Sequence, residues 1–247
     1  MRMLRTALTL LTLLASAVGF PAHAAERVDL LLVLAADVSR SVDEPKFNLQ
    51  RAGYAAAMAD PRVLDAIRSG AHGRIAVAFL EWSGSYSQKL VIDWMVVADE
   101  KSAREFGDRI LEAPRSFADR TSISSGIEFA LVQLGRAPYE AERRTIDVSG
   151  DGTNNAGRDI TVVRDEVVAK GITINGLVIL SDRPMSWNPE HTNPPGGLAN
   201  YYRNNVIGGP GAFVIAASDF NSFGKALINK LIAEIAEAPQ ASDSVFR

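Results

Sequence analysis

Leu30-Leu31-Leu32-Val33-Leu34-Ala35-Ala36-Asp37-Val38-Ser39-Arg40-Ser41 is the stretch that decides the fold. Its apolar part is too short for a free-standing helix and carries no polar residue at alternate positions. That is the pattern of a strand buried on both faces, as in a parallel sheet covered by helices. It ends abruptly in an Asp-x-Ser-x-Ser loop, after which Val42-Asp43-Glu44 opens a helical pattern. Strand, polar loop and helix in that order begin a βαβ unit.

Working outward, the same alternation recurs. Strand-like runs fall at Val28–Ala36, Arg74–Trp82, Lys89–Trp94, Arg143–Ser149, Ile172–Ile179 and Ala212–Ile215, and helical periodicity fits Glu44–Ala59, Lys101–Leu111, Ser122–Leu134, Ile160–Ala169 and Phe220–Ala236. The expected fold is α/β and doubly wound, a mostly parallel six-stranded sheet with helices on both faces. Between Trp82 and Lys89 the link is too short for a crossover, so one strand should run antiparallel as a hairpin. There is no internal repeat. Ser181–Pro210, with five prolines and several glycines, reads as a long loop or lid.

The amino terminus is of another kind. Arg2 and Arg5 precede an apolar run from Ala7 to Phe20, then Pro21 and Ala22-His23-Ala24. That order predicts a secretory signal peptide over residues 1–24 and a mature domain over 25–247, periplasmic or secreted. The run falls short of the about 20 residues of a membrane-spanning helix, so no membrane insertion is expected after cleavage. The chain's net charge is −3, and losing residues 1–24 removes arginines and no acid, so no basic nucleic-acid surface is expected. There is no cysteine, and His72 and His191 are the histidines left after the leader, which excludes a His-rich zinc site.

In an open parallel sheet, ligands bind where loops leave the carboxyl ends of strands. Three polar loops fall there: Asp37 to Ser41, Asp119-Arg120-Thr121 before the helix at Ser122, and Gly150-Asp151-Gly152 after Ile146–Ser149. Together they offer two carboxylates and three hydroxyls. Mg²⁺ (or Mn²⁺) takes such hard oxygen donors, and Asp37 and Asp151 would balance its charge. An open position on that cation would attract an external carboxylate. The plain alternative is that Asp37 or Ser41 merely caps a helix.

Asp37-x-Ser39-x-Ser41, the later Thr121 and Asp151-Gly152 resemble, in order and context, the metal-ion-dependent adhesion site (MIDAS) of von Willebrand factor A domains. The phrases Glu81-Trp82-Ser83-Gly84, Ile146 to Asn155, Gly171 to Leu177, and Tyr201-Tyr202 through Gly208 to Phe213 are similar to an uncharacterised bacterial family of exported A-like proteins. The resemblance covers nearly all of the mature chain. It implies Ser39, Ser41 and Thr121 as direct ligands and Asp37 and Asp151 as mainly water-mediated ones. The sequence departs from the A-domain pattern at Arg120, where many relatives have glycine, and at Ser149-Gly150-Asp151-Gly152, where Thr-Asp-Gly is usual.

Trp82, Trp187, Tyr201 and Tyr202 are placed near the rim of such a site, with Arg183 and Arg203 as charges for partner recognition. Each aromatic could equally pack a loop onto the sheet. Asn154 and Asn155 serve either as supports for the loops or as turn residues. His191 reads as a solvated loop residue, and His72 belongs at the opposite end of the sheet. The functional expectation is an exported, non-catalytic module that recognises an acidic group of a protein or other ligand through the cation. A metal-assisted hydrolase with Asp43, Glu44 or Asp147 as base, and a structural subunit with a vestigial site, are the alternatives.

Overall fold

A computed structural model describes residues 25–180 and 188–236; the expected signal peptide, Arg183 and Trp187 lie outside the described residues. The opening stretch forms β2 (Leu30–Asp37), buried along its whole length, after the short β1 (Glu26–Arg27). Beside it lie β3 (Ile75–Trp82), β4 (Gln88–Val97), β6 (Arg143–Gly150), β7 (Thr173–Ile179) and β8 (Val214–Ala217), in the order β4-β3-β2-β6-β7-β8. Every neighbouring pair is parallel except β3 and β4, the expected hairpin.

Side chains of β2 alternate between two cores. Leu30, Leu32, Leu34 and Ala36 pack under α1 (Glu44–Met58), α2 (Pro61–Arg68), α3 (Glu100–Glu112) and α8 (Phe223–Ile235). Leu31, Val33 and Ala35 pack under α4 (Ile123–Leu134) and α5 (Ile160–Val168). Each fully buried leucine is worth about 1.5–3 kcal/mol relative to exposure. This two-sided demand is why the run carries no polar residue until Asp37.

Three features differ from the sequence reading. Helix α2 was not anticipated, although Asp60 caps it, Pro61 opens it, and Val63, Leu64 and Ile67 form its buried stripe. Glu26–Arg27 pairs in parallel with β5 (Tyr139–Glu140) in a separate two-stranded sheet. The described part of the expected loop is largely short helix: α6 (Pro189–Thr192), α7 (Leu198–Tyr201) and a π-turn over Tyr202–Val206. Leu198, Tyr202 and Val206 bury one side of it against the sheet, which a solvated lid would not do.

Strand order also fixes where a site can form. From β2 the chain winds outward through α1 and α2 to β3, while from β6 it winds the other way through α5 to β7. Loops leaving the carboxyl ends of β2 and β6 therefore part in opposite directions and open a crevice between them. Asp37 ends β2 and Asp151 follows directly on β6.

Candidate metal centre

The three long helices that start at this crevice, α1, α4 and α5, each have a cap of their own. Asp43 accepts from Lys46 N at 3.0 Å to cap α1, Ser122 caps α4, and Asp159 caps α5. Asp37 and Ser41 are therefore not engaged as helix caps, and the plain alternative fails for both. Asp37 instead folds its own loop, its Oδ1 accepting from Ser39 N at 2.7 Å, and its Oδ2 is buried without a partner. The Ser39 and Ser41 hydroxyls lie 3.2 Å apart, and Ser41 Oγ donates to Asp151 Oδ1. Asp151 Oδ2 also lacks a hydrogen bond, with Lys46 Nζ 3.7 Å away as its ion-pair partner.

Asp151, though it lies in a loop past the end of a strand, is as buried as Asp37, at 1% and 0% exposure. The reason is local. Gly150 and Gly152 let other groups close over the loop: a Cβ on Gly150 would lie 2.5 Å from Tyr202 Oη and 3.1 Å from Asp37 Oδ2, and one on Gly152 would lie 2.3 Å from His191 Nε2. The unusual Ser149-Gly150-Asp151-Gly152 thus makes room for Tyr202 and His191. Burial, and then the neighbouring Asp151 charge, push the Asp37 carboxyl up to about 8. Burial raises Asp151 as well, opposed by the Ser41 hydroxyl and by Lys46.

Thr121 is held by Asn155, whose Oδ1 accepts from Thr121 N at 3.0 Å while its own N donates to Thr121 O at 2.8 Å. Asn154 Oδ1 accepts from Ser124 N at 3.1 Å. The two asparagines therefore tie the loop after β6 to the start of α4. Arg115, which sequence reasoning missed, fastens the first loop from beneath, donating to the carbonyls of Val38 (2.9 Å), Ser39 (3.2 Å) and Val42 (2.6 Å). Arg40 N completes the join by donating to Asp119 O at 3.0 Å. An arginine ahead of a motif carries no signal in one sequence.

The proposed rim residues fare differently. Tyr202 and Trp82 are fully buried, Trp82 Nε1 donating to Ala35 O at 3.1 Å, so neither offers area to a partner. Tyr201 is half-buried, its hydroxyl accepting from Asn154 N at 3.1 Å, and Arg203 is exposed and bonded to Asn200. His191 is not solvated: it is 4% exposed, and its Nε2 is 3.1 Å from Thr121 Oγ1. Burial lowers its pKa, against the pull of Asp151. His72 does lie at the opposite end, its N donating to Asp29 Oδ1 at 2.8 Å. Of the bases considered, Asp147 faces the other side of the sheet beside Lys230, and Asp43 is occupied as a cap.

Two buried carboxylate oxygens without hydrogen bonds, beside the Ser39 and Ser41 hydroxyls, form an oxygen donor set that fits a hard divalent cation. Among the described residues no three His, Cys, Asp or Glu side chains cluster as metal ligands, so a cation here depends on the hydroxyls.

The family described as Protein of unknown function (DUF1194) matches residues 27–239. No curated protein matches the sequence. Solved structures similar to this chain include proximal thread matrix protein 1 of the mussel byssus, described with a zinc-occupied MIDAS motif (15% identity, TM-score 0.56, 84% of this chain and 48% of that one). A von Willebrand factor type A protein from Catenulispora acidiphila (14%, 0.54, 84% and 43%) and the pilus adhesin SpaC of Lactobacillus rhamnosus GG (11%, 0.54, 84% and 31%) are also similar. The chain spans a third to a half of those chains, and at these identities the likeness is one of fold: this is a von Willebrand factor A-like domain.

Proposed function

Because this chain belongs to the DUF1194 family of proteins of unknown function, membership assigns no activity, and we propose from the site itself that it is a metal-dependent binding module. Asp37, Ser39, Ser41, Thr121 and Asp151 hold a divalent cation of the Mg²⁺ or Mn²⁺ kind, and a carboxylate of a protein or other acidic ligand completes its shell. The observation that carries this reading is the pair of buried carboxylate oxygens without a hydrogen bond, Asp37 Oδ2 and Asp151 Oδ2, beside the linked Ser39 and Ser41 hydroxyls. Leaving such groups unpaired costs about 1–3 kcal/mol each or more when charged, and a cation removes that cost. The zinc-occupied MIDAS motif of the byssus protein and the likeness to the pilus adhesin SpaC support the same direction.

The signal-like leader adds that the module works outside the cytoplasm, and no helix among the described residues is long and apolar enough to cross a membrane. In this reading the module binds rather than catalyses; Glu44, one of the bases considered, is exposed with Arg115 at 3.9 Å. Calorimetric titration with Mg²⁺ and Mn²⁺ tests the proposal. The parent should bind one equivalent, Asp151→Ala should lose at least 100-fold in affinity while keeping its circular dichroism spectrum, and capture on a glutamate-coated surface should vanish with chelator. Equal affinity in parent and variant refutes the site.

A further inference from the structure

We infer that His191 is a further ligand of this cation, so that the site is a mixed nitrogen and oxygen centre preferring a borderline transition ion such as Zn²⁺ or Co²⁺ to Mg²⁺. This rests on the metal reading above and refines its cation.

The geometry begins with the backbone. The one-turn helix Pro189–Thr192 is pinned to the acidic loop, Thr153 N donating to His191 O at 2.9 Å just beyond Asp151-Gly152. The imidazole lies where a side chain on residue 152 would be, since a Cβ there would fall 2.3 Å from Nε2 and 2.4 Å from Cε1. A glycine next to Asp151 thus admits the ring to the loop that carries the carboxylate. Nε2 then stands 3.1 Å from Thr121 Oγ1, and the Ser39 and Ser41 hydroxyls stand 3.2 Å apart. Adjacent ligands of an octahedral ion with bonds of about 2.1 Å are separated by about 3.0 Å. Each spacing matches that of two neighbouring corners of a coordination shell.

The second ring nitrogen supports the role. A ligating histidine almost always donates its other N–H to a fixed acceptor, and Nδ1 lies 3.2 Å from Thr153 Oγ1. Asn155 Nδ2, 3.4 Å from Nδ1, suits the opposite tautomer, in which Nε2 carries the proton and donates to Thr121. The neutral ring can switch between the two. A cation with high affinity for nitrogen draws the Nε2 lone pair, whereas Mg²⁺ leaves the hydrogen bond to Thr121 in place. The hydroxyls remain the base of the shell, because Asp37, Asp151 and His191 do not cluster closely enough to hold an ion alone.

The experiment titrates the mature protein with Zn²⁺ and Mg²⁺ by calorimetry, in the parent, Asp151→Ala, His191→Ala and His191→Gln, and records the visible spectrum of each with Co²⁺. Glutamine keeps a hydrogen-bonding group against Thr121 and guards against a simple cavity effect. The parent should bind Zn²⁺ at least 100-fold more tightly than Mg²⁺. Both His191 variants should lose at least tenfold for Zn²⁺, change Mg²⁺ affinity less than threefold, and shift the Co²⁺ bands. If the parent binds metal, Asp151→Ala does not, and the His191 variants leave both affinities and the Co²⁺ spectrum unchanged, His191 is only a latch on Thr121 and the inference is overturned while the centre stands. If the parent binds no metal, or Asp151→Ala binds as the parent does, the metal reading itself falls.

Discussion

Replacing Gly150 by alanine tests whether the unusual glycine of Ser149-Gly150-Asp151-Gly152 is there for space. Its φ is not in the left-handed region, so backbone freedom is not the reason. The new Cβ would meet Tyr202 Oη at 2.5 Å, where real Cβ atoms essentially never come within 3.0 Å, so the two must part by about half an ångström. Tyr202 cannot simply yield. It is fully buried, and its ring is close to β7, where a Cβ on Gly176 would be 3.1 Å from its Cδ1. Overpacking of this kind costs about 1–3 kcal/mol. For a domain of this size that lowers the melting temperature by roughly 2–4 °C per kcal/mol. Tyr202→Phe removes the clashing oxygen, and because that hydroxyl has no partner the single change should be close to neutral or stabilising. Urea denaturation of the metal-free parent, both single variants and the double variant then gives a coupling energy. It should be at least about 1 kcal/mol, the double variant recovering most of the loss. Mg²⁺ affinity should remain weakened in the double variant, since the Cβ still lies 3.1 Å from Asp37 Oδ2. Additive effects, or an alanine variant as stable as the parent, would refute the steric account.

Two further outcomes concern charge. With its carboxyl raised from the ordinary 3.8 to about 8 by burial and by Asp151, folded Asp37 keeps a proton that the unfolded chain releases. Metal-free stability should therefore fall as pH rises from about 4 to about 8, Asp37→Asn should flatten that slope, and saturating Mg²⁺ should oppose it. On the other face of the sheet, Lys230→Met leaves Asp147 and Glu234 buried without their cation and should cost about 3–5 kcal/mol near neutral pH. Burial and the Asp147 charge already push Glu234 up to about 7, so thermal denaturation should show the loss shrinking as pH drops below that value.

Much of the fold was legible because the sheet's demands are local. A strand buried on both faces must be apolar throughout, as β2 is, and a short link after Trp82 forces a hairpin. Helix α2 was missed: Asp60-Pro61 and the spacing of Val63 and Ile67 mark it, but its eight residues fall below the length at which periodicity stands out. The five proposed ligands lie on three loops at one end of the sheet because loops after parallel strands share that end. The depth of the site was not legible. Whether Asp151 and His191 are exposed depends on the described remainder of Ser181–Pro210 folding back as short helices, and on Gly150 and Gly152 admitting Tyr202 and His191. A proline-rich sequence signals irregular backbone and says nothing of where that backbone packs.

The two buried pairs of carboxylates show how the same physics serves different ends. Asp147 and Glu234 enclose Lys230, whose Nζ is 2.7 Å from Asp147 Oδ1, though off the hydrogen-bonding direction, and Asn175 Nδ2 donates to Glu234 at 2.8 Å. That group brings its own cation, side chains from α8, β6 and β7 supply all its members, and it lies wholly inside the fold. Asp37 and Asp151 have no such enclosed partner. Lys46, the nearest cation, is 3.7 Å from Asp151 Oδ2, is nearly a third exposed, and donates instead to Ser41 O at 2.6 Å. Two buried carboxyl groups without an enclosed cation weaken the fold, and nothing in core packing requires them at the ends of strands where apolar residues would serve. Their position at the reversal of strand order, with hydroxyls alongside and Arg115, Asn154 and Asn155 bracing all three loops, is what supports the proposal that a cation comes to them from outside.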